Sequence, residues 1–155
     1  MSSSPFGNKV RVRVCGILLR EDTVLLVNLK SPTRHEPFWS PPGGGVEFGE
    51  PMTDALRREF MEETGVEIAV QQLLYVTEFV QPPWHAVECY FLCTAAGADA
   101  VKGHDPELEE GRQMIQDVQF VKVSELGTLN LIPTFLQSRL PALLQHGSGT
   151  PEWIR

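Results

Sequence analysis

Residues 44–66 read GGVEFGEPMTDALRREFMEETGV, and this run carries the clearest helix signal in the chain. Pro51 suits a first helical position, and Gly65 suits a C-terminal cap. At about 100° per residue, Met52, Ala55, Leu56 and Phe60 form one apolar stripe, which predicts a helix laid against a sheet. Thr53, Asp54, Arg57 and Met61 take the outer side.

The acidic residues do not oppose that stripe, as a solvated face would. Glu59 and Glu63 fall within about 20° of Met52, and Glu62 falls about 80° to one side. Carboxylates at i, i+3 and i+4 repel one another, and partial burial raises the cost. Arg58 flanks the cluster and can hold one or two of them. A divalent cation can hold the rest. An all-oxygen donor set fits Mg²⁺, with Mn²⁺ as a substitute, and Mg²⁺ commonly combines one or two carboxylates with substrate phosphate oxygens. The segment predicts a metal–phosphate site.

Upstream, residues 10–19 are apolar and β-branched, with Arg11 and Arg13 alternating at the start. They read as a strand, and residues 23–29 as its hairpin partner. Phe38-Trp39-Ser40 is a short extended piece, and the Gly43-Gly44-Gly45 run permits close backbone approach. Downstream, residues 73–80 and 86–94 read as strands around a Gln81-Pro82-Pro83-Trp84 turn. Residues 96–113 form a polar loop with an acidic centre, and residues 118–123 a last strand. A final helix over 133–144 is expected to be interrupted at Pro141. Strands, one helix, more strands and a helix suggest a mixed sheet covered by helices.

The chain has 155 residues, enough for one domain with a sizeable core. Residues 1–8 and 147–155 are rich in Ser, Gly and Pro and read as tails around a domain at 9–146, although Trp153 and Ile154 could dock on the body. A net charge of -7 argues against general binding to a nucleic-acid backbone. Small phosphate ligands remain compatible, given a bridging cation. Cys15, Cys89 and Cys93 form no C-x-x-C pair and read as buried, reduced thiols. No run resembles a signal peptide or spans a bilayer, so a cytoplasmic protein without membrane contact is expected.

The segment resembles the Nudix box, G-x5-E-x7-R-E-U-x-E-E-x-G-U with U a bulky apolar residue. Gly44, Glu50, Arg58, Glu59, Glu62, Glu63 and Gly65 fill its fixed positions, and Phe60 and Val66 its apolar ones. The flanking strands and the Pro-Pro-Gly-Gly entry are similar to the family's arrangement over most of the body. The resemblance implies an α/β/α sandwich around a central mixed β-sheet, with the box as loop–helix–loop. It implies metal binding by Glu59, Glu62 and Glu63, with Arg58 orienting box carboxylates. Glu50, Gly44 and Gly65 would shape the loop. The implied reaction is attack of water on a phosphorus of a nucleoside diphosphate linked to another group. For the general base, family members use either the glutamate matching Glu59 or one from a later loop. Here that loop offers Glu107, Glu109 and Glu110, and Glu109 or Glu110 is a candidate further ligand or base beside the plain reading of a solvated charge run.

Phe38, Trp39 and Trp84 are candidates for stacking on a nucleobase, and His85 and Glu88 for bordering the pocket. Core packing is the commoner use of such aromatics. Pro82 and Pro83 sit beyond the box at a distance resembling the proline of ADP-ribose-hydrolysing members, although prolines also mark turns. The competing reading is a non-catalytic Nudix-like module that senses a nucleotide, for which a damaged box or an added binding domain would be expected. Homodimers are common in the family, and exposed strand edges offer a route to one.

Overall fold

A computed structural model describes residues 5–31, 34–96 and 114–155. Strand β1 (Lys9–Arg20) turns through Glu21-Asp22 into β2 (Thr23–Lys30), with Arg20 paired to Thr23. The positive φ of Glu21, 54°, and a 2.6 Å bond from Thr23 Oγ1 to the Arg20 carbonyl tighten this turn. Next come β3 (Phe38–Ser40), β4 (Gly43–Gly45) and helix α1 (Met52–Thr64). Strands β5 (Ile68–Gln81) and β6 (Trp84–Ala95) form a long antiparallel hairpin about Pro82-Pro83. After β7 (Met114–Lys122) and a 3-10 turn (Val123–Thr128), helix α2 (Leu136–His146) and β8 (Glu152–Ile154) complete the chain.

The strands form one mixed sheet in the order β3-β2-β1-β6-β5-β8, with β7 pairing β2 and β4 pairing β1. The β1–β6 and β5–β8 pairings are parallel and the others antiparallel. Beyond their turn β1 and β2 part, and β4 takes the vacated edge of β1, with Val14 opposite Gly44. The glycines are there because the backbones nearly touch. A Cβ on Gly43 would collide with the Val14 carbonyl oxygen.

Alternation along β1 sends its side chains to two faces. Val14 and Leu18 join Ala55, Leu56 and Phe60 of α1 in one buried cluster. Cys15 and Ile17 join Leu136, Leu140 and Leu143 of α2 in the other. Tyr75 and Tyr90 anchor that second layer, each meeting Phe135 edge-on at 5.5 and 5.4 Å between ring centres. Helices therefore cover both faces of the sheet, the expected α/β/α sandwich.

Two local expectations change. Pro141 lies inside α2 without interrupting it, because buried Leu136, Leu140 and Leu143 hold the helix on either side of the lost backbone bond. Residues 147–155 are not simply a tail. Glu152–Ile154 adds β8 beside Tyr75–Thr77, and Arg139 grips Glu152 at 2.7 Å. The open edge of β5 supplies the backbone partners that make this short strand form. The three cysteines are buried and free of disulfides, and among the described residues no helix is long and apolar enough to cross a membrane.

Candidate active site

Strand β4 leads through residues 46–51 directly into α1. Pro51 is extended (φ -61°, ψ 146°) and immediately precedes the first helical turn instead of opening it. At the other end Gly65, with φ 70°, closes the helix in the left-handed conformation and donates to the Met61 carbonyl at 2.9 Å. Thr64 is buried, its hydroxyl donating to the Phe60 carbonyl and accepting from the Val66 amide. The caps fix where α1 begins and ends, and the burial of Ala55, Leu56 and Phe60 against the sheet sets which way its glutamates face.

Arg58 is the hub of the box. Its Nε and Nη2 donate to the two Glu50 oxygens at 2.9 and 3.0 Å, and Nη1 donates to Glu59 at 3.0 Å. Nη2 also approaches the Gly45 carbonyl at 3.4 Å, while Glu62 lies 3.6 Å from Nη1. Glu50 in turn accepts the Glu47 amide at 3.2 Å. Arg58 thus ties the loop to the helix with charge-assisted bonds. Its hydrogen bond to Glu50 raises the arginine further above its ordinary range and lowers the Glu50 carboxyl.

The glutamates differ in environment. A Cβ on Gly44 would collide with the Glu59 carboxyl, so that glycine makes the room Glu59 occupies. Glu63 accepts the Gly43 amide at 3.0 Å. Burial, then repulsion from Glu59, pushes the Glu63 carboxyl up to about 8. Glu62 is the exception: its side chain is 44% exposed. Its position about 80° from Met52 puts it at the margin of the apolar stripe. The reading that all three continue the buried stripe is therefore corrected for Glu62.

Glu63 opens into a cleft of about 720 Å³. One wall is the face of β1 and β6 that carries Arg11, Arg13, Cys15, Ala86, Glu88 and Tyr90, arranged by the register Arg11↔Ala86, Arg13↔Glu88 and Cys15↔Tyr90. Phe6, Phe79, Gln81 and Trp84 line the same cleft, and Phe38, Ser40 and Arg34 belong to its lining as well. Arg11 stacks over Phe6 at 4.1 Å, and the Asn8 amide is fixed to the Pro83 carbonyl at 2.9 Å. Burial pushes the Cys15 thiol up to about 12 and also raises the Tyr90 phenol, so both are neutral lining groups near neutral pH.

Trp84 and Glu88 are thus in the cleft, as is His85, which approaches Glu78 at 2.9 Å. Trp39 is not. Strand alternation brings its neighbours Phe38 and Ser40 to the cleft, whereas Trp39 packs on the α2 cluster and pairs with Leu131. Glu107, Glu109 and Glu110 lie outside the described residues. Sequence reading missed Arg13, Arg11, Phe6 and Phe79. The alternation of Arg11, Arg13 and Cys15 is a signal that they share a face, but nothing local says what that face meets.

Among the described residues no three His, Cys, Asp or Glu side chains form a ready-made metal cage. Arg58 is engaged with Glu50 and Glu59, and the repulsion between Glu59 and Glu63 shows two carboxyl groups crowded, among the described residues, without a cation shared between them. That donor set suits an ion taking one or two carboxylates and completing its shell with water or phosphate, as Mg²⁺ does.

Residues 9–143 match the NUDIX domain family. The chain is 33% identical over 104 residues to the "ADP-ribose pyrophosphatase" of Methanocaldococcus jannaschii, covering 64% of this chain and 59% of that protein. It is 42% identical over 89 residues to the human "Diphosphoinositol polyphosphate phosphohydrolase 3-alpha", covering 57% of this chain and 52% of that protein. The chain therefore spans just over half the length of these two curated relatives. Among solved structures, a NUDIX hydrolase from Nitrosomonas europaea is similar with a TM-score of 0.70 at 20% identity, covering 92% of this chain and 93% of that one. That likeness concerns the fold.

Proposed function

The chain belongs to the Nudix family, and from that premise we propose that it is a metal-dependent hydrolase of a nucleoside diphosphate linked to a second group, with ADP-ribose-like compounds the preferred class. The observation that carries this reading is one cleft holding the Glu63 carboxylate, the Arg11 and Arg13 guanidiniums and a rim of Phe6, Phe79 and Trp84. Phosphate, cation and planar base each have a chemically matched neighbour there.

Glu59, Glu62 and Glu63 would hold the cation, most simply Mg²⁺, with Mn²⁺ as a substitute. When bound, such an ion polarises phosphoryl oxygens and lowers the pKa of coordinated water. Arg58 keeps the Glu59 carboxylate in place, and the Gly43 amide orients Glu63. Fixed cationic groups in the cleft stabilise charge that develops on the phosphate. The proton of the attacking water goes to Glu59 or to a glutamate of the acidic segment, Glu109 or Glu110. Comparing E59Q with the E109Q/E110Q double variant separates those routes.

The name of the relative called "ADP-ribose pyrophosphatase" and the aromatic rim both favour a nucleoside over a multiply phosphorylated inositol. Arg11, Arg13 and Arg34 are set against Glu63 and Glu88 in this lining, too little net positive charge for a densely phosphorylated ring. A panel of ADP-ribose, nucleoside triphosphates, oxidised nucleotides, dinucleoside polyphosphates and a diphosphoinositol phosphate, each with Mg²⁺ or Mn²⁺, tests the proposal. Hydrolysis of ADP-ribose to AMP at the highest kcat/KM is expected. Inactivity across the panel, with cation binding demonstrated, would replace the hydrolase with a nucleotide-sensing module.

A further inference from the structure

Among the described residues Arg13 is less well partnered than the other arginines that face carboxylates. Arg58 and Arg139 each spread a guanidinium over both oxygens of one carboxylate, Glu50 and Glu152. The Arg13 Nε is covered from solvent and has no hydrogen-bond partner among the described residues. Its Nη1 stands 3.8 Å from Glu88 Oε2, an ion pair too long to be a hydrogen bond. A buried guanidinium donor without an acceptor is costly, and five donors in a planar fork match an oxyanion well.

Its place in the register is informative. Cys15 lies opposite Gly43 and Tyr90, at the level where Gly43 also meets Glu63. Two residues along β1, Arg13 lies opposite Glu88, and Lys9, four residues further, lies opposite Trp84. Strand rise puts Arg13 about 7 Å from the Glu63 level and about 13 Å from the Trp84 level. It therefore stands between the carboxylates and the aromatic rim.

We infer that Arg13 binds the phosphate on the nucleoside side of the scissile anhydride, and that Glu88 is its counter-ion only until substrate displaces it. The inference rests on reading this cleft as the diphosphate site. Substrate exchanges a stretched Glu88 contact for direct phosphate bonds, and Glu88 competes with the substrate for Arg13. Arg13 then sets affinity for the phosphate, and removing Glu88 strengthens binding.

The test is calorimetric binding of AMP and UMP, each against its own nucleoside, in EDTA so that no cation contributes. Wild type should prefer nucleotide over nucleoside. Arg13→Met should erase that preference, weakening nucleotide binding about tenfold or more, as loss of a charge-assisted contact implies, while nucleoside binding is unchanged. Glu88→Gln should tighten nucleotide binding severalfold. Arg13→Lys, which keeps the charge and loses the fork, should fall between. Thermal melts accompany each variant. A lower Tm for Arg13→Met with the nucleotide preference intact would mean a purely structural arginine and overturn the inference. Glu88→Gln losing nucleotide as Arg13→Met does would overturn the counter-ion role. A wild type indifferent to the phosphate would overturn the inference while leaving a positive hydrolysis panel standing. Failure to bind any nucleoside or nucleotide, together with an inactive panel, would remove the functional reading itself.

Discussion

Arg58 and Glu50, eight residues apart in the chain, are joined by two near-parallel hydrogen bonds of 2.9 and 3.0 Å. This pair fastens the glycine loop to α1 while the remaining Arg58 nitrogen steadies Glu59 at 3.0 Å. Lysine cannot reproduce a fork that serves two carboxylates. Arg58→Lys should therefore lower cation affinity or turnover by about 10–100-fold, the usual effect of losing a group that orients a metal ligand. Cation titration by calorimetry, alongside kcat and KM, checks this. Wild-type cation affinity and turnover in the variant would show that Arg58 does not position Glu59.

Gly44→Ala places a methyl group against the Glu59 carboxyl. The obstacle is the end of a side chain, so the fold should yield by moving Glu59. The expected result is a Tm close to wild type with turnover reduced by about tenfold or more. A large loss of Tm with normal turnover in the surviving folded fraction would contradict this division.

Glu63 links pH, stability and cation. Burial and then Glu59 raise its carboxyl from 4.5 to about 8, so the fold favours the protonated form. For a raised acid, the cation-free protein is most stable below the unfolded value and loses stability as pH rises from about 4.5 to about 8. In EDTA, wild-type Tm should fall across that window, and Glu63→Gln should remove much of the fall, leaving the variant several degrees more stable at about pH 8. The same variant should lose the stabilisation that Mg²⁺ confers on wild type. Parallel Tm–pH curves for the two proteins would refute the assignment.

Strand β8 offers a test of the fold away from the cleft. Glu152→Ala removes both partners of the Arg139 fork, and truncation after residue 147 also uncovers the edge of β5 at Tyr75–Thr77. Truncation should lower Tm more than Glu152→Ala, because it removes backbone pairing as well as the ion pair. Differential scanning calorimetry orders the two. Equal Tm values for wild type and truncated chain would make β8 dispensable.

Trp84 should act on affinity. It lines the cleft two residues beyond Pro82 and remains 39% exposed. Trp84→Ala should raise KM severalfold for a nucleoside-containing substrate with little change in kcat, since stacking on the base is felt equally in ground and transition states. A fall in kcat at constant KM would put Trp84 outside base recognition.

Much of the box is legible in the residues alone. The helix over residues 52–64, its Gly65 cap, and Glu59 and Glu63 on the apolar side all follow from a repeat that spans one or two turns. Arg58 beside its carboxylates follows from the same arithmetic. Glu62 departs from that reading because the wheel gives an angle but not the width of the surface it packs against. Trp39 and Phe38 look alike in sequence because a three-residue strand has alternation but no local sign of which side is the cleft.

What the sequence by itself determined is the chemistry of α1: periodicity and capping are local, so residue types at fixed spacing suffice to gather carboxylates on one side of a helix. What only the tertiary structure decided is what those carboxylates face. Glu88 meets Arg13 through the parallel β1–β6 pairing, 75 positions away in the numbering, and Glu152 meets Tyr75 through a similarly distant one. Such contacts depend on strand register and on which sheet edges remain open, and neither quantity is encoded in any short stretch of chain.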